Sequence, residues 1–148
     1  ITLDEQSFGR AQANAEHERE VAIFDILECN HFALEGRDDG PYRLRIAVQG
    51  DRLVFDVGHA SSDATVSHVL SLSPLKRIMK DYFVVCDSYY QAIRIAPPSK
   101  IQAIDMGRRA LHDEGSRVLM ERLKGKITVD FDTGRRLFTL ISALHRKA

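Results

Sequence analysis

The alternation of residues between positions 42 and 72 constrains the fold of this chain more than any other feature. Side chains at every second position form three runs: Tyr42, Leu44, Ile46 and Val48, then Leu53, Phe55 and Val57, then Val66, His68, Leu70 and Leu72. A period of two predicts strands, and the turns at Gly50-Asp51 and 58–64 predict antiparallel connections. We therefore expect a three-stranded antiparallel meander with one apolar face that helices must cover.

Apolar residues at helical spacing elsewhere in the chain predict four helices that would provide this cover. The widest apolar stripe runs from Leu75 to Ile93, behind Ser73-Pro74, where the serine is the expected N-cap. An earlier helix should begin after Asn14 as its N-cap. Its inward positions are expected to be Val21, Phe24, Ile26 or Leu27, and His31.

The last third of the chain adds two of these helices, joined by a short extended link or strand at 127–129. The first should open at a Ser99–Gln102 capping box, and Gly115-Ser116 could kink or split it. The second should follow an N-cap at Asp130 or Asp132. No glycine- or proline-rich linker divides the chain, so we expect a single α+β domain over residues 1–148, with 1–14 irregular or an edge strand.

Composition favours a folded protein of a reducing compartment. Of the 148 residues, 44% are hydrophobic and 28% charged, as is ordinary for a globular chain. Cys29 and Cys86 each lie within an apolar helical pattern, which predicts two buried free thiols. No apolar run approaches the roughly 20 residues of a membrane span, and residues 1–10 lack the pattern of a signal peptide. We expect a cytoplasmic protein without membrane association.

Charge is distributed unevenly although the formal net charge is zero. Residues 1–98 hold 10 basic and 15 acidic side chains, and residues 99–148 hold 11 basic and 6 acidic ones. Such asymmetry is typical of an interaction surface, or of two halves that attract each other within one domain. Nucleic acid is a disfavoured partner because the total charge is neutral and acids are interspersed among the bases.

Two segments of the basic third share the pattern Asp-x-Gly-Arg-Arg, at Asp105–Arg109 and Asp132–Arg136. Arginine forks suit phosphate and carboxylate groups, so arginines on two adjacent helices would form an anion site. The alternative is a ladder of surface ion pairs joining Asp105, Arg109, Asp113 and Arg117. The expected anion- or partner-binding residues are Arg108, Arg109, Ser116, Lys124, Lys126, Arg135 and Arg136.

Catalytic residues cannot be assigned from motifs, and it is uncertain whether the chain is an enzyme. His112 is the one candidate general acid or base, because it lies near these arginines. The chain contains no sequence motif for a metal, nucleotide or dinucleotide, and its six histidines show no metal-ligand spacing. We therefore predict no cofactor and no metal site.

Ordered blocks along nearly the whole chain resemble an uncharacterised family of small alphaproteobacterial proteins. The blocks include Glu16-His17-Glu18-Arg19, Gly40-Pro41-Tyr42-Arg43-Leu44, Lys80-Asp81-Tyr82-Phe83, Ile104-Asp105-Met106-Gly107-Arg108-Arg109 and Arg122-Leu123-Lys124-Gly125-Lys126. One departure is Gly134, where alanine is usual in the family. The resemblance implies a soluble cytoplasmic protein and brings no activity, cofactor or catalytic residue with it.

Two functional hypotheses follow. The first is a non-enzymatic interaction or regulatory domain that presents the Arg/Asp-rich surface of the C-terminal helices to a protein partner or to a second copy of itself. The alternative is a phosphate- or nucleotide-binding protein or enzyme, in which the arginines hold a small anionic ligand and His112 acts as acid or base.

Overall fold

The computed structural model describes residues 1–4, 7, 13–59, 61 and 64–145, and side chains of the first helix from residue 16 onward. It confirms the α+β class. In chain order the elements are β1 (Thr2–Leu3), α1 (Ala13–Glu28), β2 (Phe32–Leu34), β3 (Tyr42–Gln49), β4 (Arg52–His59), β5 (Thr65–Ser71), α2 (Ser73–Ile95), α3 (Pro98–Leu123), β6 (Ile127–Val129) and α4 (Phe131–His145).

The expected antiparallel meander is present as β3, β4 and β5, and it gains a fourth strand. β1 adds to the outer edge of β3 in parallel, so that the sheet has the order β1-β3-β4-β5. Phe55 lies opposite Ile46 on one side and His68 on the other. Phe55 and Ile46 are fully buried. The period of two therefore identified both the strands and the face that is covered.

A second, two-stranded sheet was not expected. β2 pairs antiparallel with β6, and Leu34 lies opposite Ile127. The first helix ends at Glu28, so His31 lies outside it and the prediction that His31 belongs to the helix is wrong. Three residues are too few to show a periodic pattern, and the pairing joins segments more than ninety positions apart.

α4 is the central element of the core. It packs against α1 on one side and α3 on another, while α2 pairs with α3. Its fully buried side chains join one apolar cluster with the sheet face and the starts and ends of the other helices. These side chains are Leu137, Phe138, Leu140, Ile141 and Leu144. No helix in the described part of the chain is long and apolar enough to cross a membrane.

α1 buries a different face from the one that was expected. Val21 and Phe24 are 43% and 63% exposed, so their assignment to the core is wrong. Of the alternatives Ile26 and Leu27, Leu27 is 62% exposed. Ile26 is buried, and so is the charged side chain of Arg19. Arg19 donates to the carbonyl oxygens of Ala143 and Leu144 at 3.1 and 3.3 Å. It thereby satisfies acceptors at the carboxyl end of α4, where a cation is favourable. A charged residue on a buried face obscured the apolar period of α1.

Three predicted helix caps are also wrong. α2 is preceded by Leu72 and α3 by Pro97 at the cap positions, without side-chain caps from Ser73 or Ser99. Both helices carry proline in the first turn, which has no N–H to satisfy. Asn14 lies inside α1. Of the two acids proposed to cap α4, Asp130 does so, and its carboxylate accepts from the Thr133 N–H at 3.0 Å.

The prediction for the two thiols is half correct. Both cysteines are free, and Cys86 is buried, but Cys29, the first residue after α1, is exposed.

Gly115 permits the contact between α3 and α4 and does not split α3, which is one helix from Pro98 to Leu123. A Cβ atom at Gly115 would lie 2.2 Å from Cζ of Phe138. Real side chains do not approach so closely, and both residues are buried. The two helices can therefore pack at this separation only because position 115 has no side chain.

We predict opposite effects for two alanine substitutions within α3. Gly115→Ala should lower the free energy of unfolding by about 1 to 3 kcal/mol, since it overpacks the contact with Phe138. Gly107→Ala should leave stability unchanged or raise it by up to about 1 kcal/mol, since alanine favours the helix. A Cβ at Gly107 would meet nothing closer than Val85 at 4.0 Å. Urea denaturation of both variants tests this, and equal stability of the two would contradict it.

Candidate functional site

Both Asp-x-Gly-Arg-Arg segments contribute to one surface cavity of about 450 Å³. The cavity lies between α2, α3 and α4 and is hereafter called the arginine cavity. Its lining consists of Tyr82, Arg108, Arg109, His112, Asp132, Arg135, Arg136 and Thr139. The two arginine pairs therefore share a surface, as a common anion site requires.

The crossing of α3 and α4 brings the two pairs together. Gly115 follows His112 by one turn of α3, and its contact with Phe138 lies one turn beyond Gly134 and Arg135 on α4. Gly134 adds a second close approach, since a Cβ there would lie 2.8 Å from Cγ of Met120. The pairing of position 115 with 138 and of position 120 with 134 shows that α3 and α4 run antiparallel at this contact. The arginines of α3 therefore lie toward one end of the contact and those of α4 toward the other, and both pairs border the same cavity.

The arginine pair of α3 is held by one carboxylate. Asp105 Oδ1 accepts from Nε and Nη2 of Arg108 at 3.1 and 2.5 Å, and Asp105 Oδ2 lies 3.1 Å from Nε of Arg109. The hydrogen bond from Arg108 holds the pKa of Asp105 below its usual value. The guanidinium of Arg108 also stacks 4.4 Å from the centroid of the Tyr89 ring. Arg108 is thereby fixed in place, whereas the side chain of Arg109 is 71% exposed.

The arginine pair of α4 has partners on other elements. Nε of Arg135 lies 3.4 Å from Oδ1 of Asp113 on α3. Neither of these two atoms has a hydrogen bond within the described residues, so the contact is a charge pair of imperfect geometry. Nη1 of Arg136 donates to the carbonyl oxygen of Cys29 at 2.7 Å, next to the end of α1. The α4 pair is therefore spread between α3 and α1.

His112 lies at the inner wall of the cavity, between aromatic rings. Its ring centroid is 5.5 Å from that of Tyr82 and 5.3 Å from that of Phe138. Nε2 lies 2.6 Å from Oγ1 of Thr139, which itself donates to the Arg135 carbonyl at 3.1 Å. Because the only hydroxyl proton of Thr139 is used in that bond, Nε2 of His112 is the donor to Oγ1. Nδ1 is buried and has no hydrogen-bond partner among the described residues.

The surroundings of His112 keep its ring neutral. Burial, together with the positive charge of Arg135, lowers the pKa of His112 to about 4, against a smaller opposing effect of Asp113. Burial also raises the pKa of the neighbouring Tyr82 phenol. Both groups therefore act as neutral hydrogen-bonding side chains at pH 7, and the positive charge of the cavity comes from its arginines.

Three of the expected binding residues lie elsewhere. Ser116 is fully buried, and its hydroxyl donates to the His112 carbonyl at 2.7 Å. Lys124 lines a different cavity, beside β6. Lys126 is half-buried, and its carbonyl accepts from the Glu35 N–H at 3.0 Å in the small sheet. The expected site therefore narrows to the four arginines and His112.

The expected ladder of ion pairs is present only at its first step. Asp105 pairs with Arg109, but Asp113 pairs with Arg135 across the two helices. Among described residues, no ion pair joins Asp113 to Arg109 or Arg117. The guanidinium of Arg117 instead lies 5.7 Å from the ring centroid of Phe131.

Sequence reasoning did not assign Tyr82, Asp132 and Thr139 to the site. Tyr82 belongs to the apolar stripe of α2, which had been assigned to the core. Thr139 is one turn after Arg135 and seven residues after Asp132, so helical spacing from the second Asp-x-Gly-Arg-Arg segment could have identified it. Asp132 was part of the repeated pattern but had been considered only as a helix cap.

Comparison with known proteins places the chain among close relatives. The model of an uncharacterised protein family, UPF0262, matches residues 1–147. A UPF0262 protein of Rhodopseudomonas palustris strain BisB5 is 60% identical over 147 residues, which cover 99% of this chain and 90% of the relative. A UPF0262 protein of Nitrobacter winogradskyi is also 60% identical, over 99% of this chain and 88% of the relative. No solved structure matches the chain.

The low pKa of His112 predicts a pH dependence of stability. Between the ordinary pKa of 6.5 and the folded value of about 4, the unfolded chain binds a proton that the folded protein does not. The free energy of unfolding therefore does not depend on His112 protonation above pH 6.5, where the ring is neutral in both states. As the pH falls toward 4, protonation of His112 in the unfolded chain lowers the free energy of unfolding. After allowance for solvent screening of this partly exposed ring, we expect a loss of about 1 to 2 kcal/mol.

The variant His112→Gln should lack this part of the pH dependence, because glutamine can donate to Thr139 and does not titrate. Urea denaturation at a series of pH values between 4 and 7 compares the two proteins. Parallel profiles for wild type and His112→Gln would contradict the prediction.

Proposed function

We propose that this chain, which belongs to the UPF0262 family, binds a small ligand that carries a phosphate or carboxylate group. The arginine cavity is the proposed binding site. The observation that supports this proposal is the convergence of Arg108, Arg109, Arg135 and Arg136 on one cavity. Guanidinium groups bind such anions through paired hydrogen bonds, which is why clusters of arginine are typical of phosphate and carboxylate sites.

Donors remain available for a ligand after the internal contacts are counted. Each guanidinium offers five N–H groups, and the recorded contacts of Arg109 and Arg136 each involve one nitrogen. Contacts to Asp105 and Cys29 also hold these side chains near the cavity. A ligand would therefore meet arginines that are already positioned, which lowers the entropic cost of binding.

Electrostatics of the lining favour an anion. In the described lining, the four arginines are accompanied by a single carboxylate, that of Asp132, while His112 and Tyr82 are neutral at pH 7. Asp105 and Asp113 offset part of this charge from outside the lining. An excess of positive charge within a concave surface raises the local concentration of anions.

The state of His112 supports binding more than proton transfer. A ring with a pKa of about 4 is a poor general acid or base at pH 7, and its Nε2 is already bonded to Thr139. We therefore assign His112 the role of a neutral positioning residue, which holds Thr139 and the Arg135 turn at the cavity wall.

Association with another protein is a second candidate function, and the exposed apolar side chains of α1 favour it. An exposed apolar stripe at helical spacing consists of Val21, Phe24 and Leu27. The exposed charged side chains of the same helix are acidic. A complementary partner would present apolar side chains within a basic rim. We therefore propose α1 as the association surface, in place of the Arg/Asp-rich surface of the C-terminal helices, and the arginine cavity as the site of the small ligand.

The cytoplasm is the compartment that we propose for both functions. Cys29 and Cys86 are free thiols, as is usual in a reducing environment. Recovery of the native protein in a periplasmic or membrane fraction would contradict this location.

Binding of phosphate monoesters or di- and tricarboxylates should stabilise the protein. A compound at 100 times its dissociation constant should add about 2.7 kcal/mol to the free energy of unfolding. The double variant Arg109→Ala/Arg136→Ala should weaken binding at least about tenfold for each lost charged hydrogen bond. Thermal-shift screening followed by calorimetry measures both effects.

The matched control is Arg77→Ala/Arg122→Ala, which removes two exposed arginines of α2 and α3 that do not line the cavity. It loses the same charge and should bind as the wild type does. The absence of any stabilising anion, or equal weakening in the two double variants, would contradict the proposed function.

Partner association through α1 should be sensitive to charge at the apolar stripe. Phe24→Glu should abolish recovery of a partner from a bacterial lysate, and Arg109→Ala should leave recovery unchanged. Light scattering of the purified chain distinguishes a second copy from a different partner. A partner that is retained by Phe24→Glu and lost by Arg109→Ala would place the interaction at the arginines instead.

A further inference from the structure

We propose that the ligand of the arginine cavity carries, besides its anionic group, a hydroxyl or ammonium group that donates a hydrogen bond to Asp132. This inference rests on the proposed function and specifies the ligand class: a phosphorylated or carboxylated polyol, or an amino-bearing phosphate or carboxylate. Among the residues that the structure describes, Asp132 is the only acid in the cavity lining.

The two Asp-x-Gly-Arg-Arg segments use their aspartates differently. Asp105 binds both arginines that follow it, three and four positions later. Asp132 has arginines at the same spacings, yet within the part of the chain that the structure describes it forms no ion pair with Arg135 or Arg136. Its carboxylate is exposed and lies on the cavity.

Competing contacts explain this difference. Arg135 is directed to Asp113 of α3, and Arg136 is directed to the Cys29 carbonyl at the end of α1. Both contacts depend on the packing of α4 between α1 and α3, so the intrahelical pairing seen in α3 is replaced here. The result is a carboxylate that shares the cavity lining with four guanidinium groups and forms no ion pair with any of them among the described residues.

This arrangement selects among anions. A ligand with anionic groups at both ends would bring a like charge to Asp132, which is unfavourable. A ligand with a donor at that point would gain a charge-assisted hydrogen bond, which is stronger than a neutral one. Asp132 also lies in the first turn of α4, where an acid stabilises a helix. This effect on helix stability is the same whichever ligand is bound. A preference between ligands therefore distinguishes a ligand-binding role of Asp132 from its role in stabilising the helix.

Two pairs of small esters test the proposal by calorimetry. Glycerol 3-phosphate is compared with propyl phosphate for the hydroxyl donor, and phosphoethanolamine with ethyl phosphate for the ammonium donor. Wild-type protein should bind at least one donor-bearing ester about tenfold more tightly than its partner. The pair that shows the preference identifies the donor.

The variant Asp132→Ala should bind both members of that pair with nearly equal affinity, and Glu114→Ala, which removes an exposed acid of α3 outside the lining, should keep the preference. Equal binding of the esters to wild-type protein, or a preference that persists in Asp132→Ala, overturns this inference while the proposed anion site stands. No binding of any of the four esters overturns this inference and the phosphate class of ligand, while the carboxylates in the thermal-shift screen test the anion site itself.

Discussion

The contact between Gly115 of α3 and Phe138 of α4 is the constraint on which the core and the candidate site both depend. The Phe138 ring occupies the space that a side chain at position 115 would fill. The same ring packs against Tyr82 and His112, at 5.8 and 5.3 Å. One crossing point therefore fixes the central helix in the core, the position of His112, and the separation of the two arginine pairs.

The electrostatic arrangement follows from this crossing. Arg135 contacts Asp113 because α4 lies against α3, and Arg136 reaches the Cys29 carbonyl because α4 also lies against α1. Arg135 thus pairs with an acid of the same basic third of the chain, and Arg136 joins that third to the remainder through a backbone carbonyl. Because of these contacts, Asp132 does not pair, within the described part of the chain, with the arginines that follow it, whereas Asp105 does. Two segments of similar sequence therefore give the cavity one side on which the acid and the arginines are paired and one side on which they are not.

Sequence patterns predicted those features that local periodicity determines. Strands β3, β4 and β5 and the long helix α2 were identified because their inward residues recur over seven or more positions. The arginine pairs were predicted as a possible shared site because guanidinium groups suit phosphate and carboxylate, although helix spacing alone could not show that the two pairs converge. Arg19 could not be predicted as buried, since its partners are carbonyl groups at the end of α4, more than 120 positions away.

Other features depend on packing that no local pattern records. The pairing of β2 with β6 joins two segments of three residues each. The choice of Asp113 for Arg135, in preference to a neighbour on its own helix, depends on the angle between α3 and α4. Gly115 appeared to be a helix breaker, because glycine lowers helix propensity, and only the position of Phe138 shows that it is a packing site.

The measurement that tests this account most directly is a crystal structure of the protein with glycerol 3-phosphate or propyl phosphate bound. The account predicts phosphate oxygens at about 3 Å from guanidinium nitrogens of both α3 and α4, within the cavity bounded by His112 and Thr139. A phosphate held by arginines of one helix alone, or bound elsewhere on the protein, would contradict the claim that the crossing of α3 and α4 builds the site.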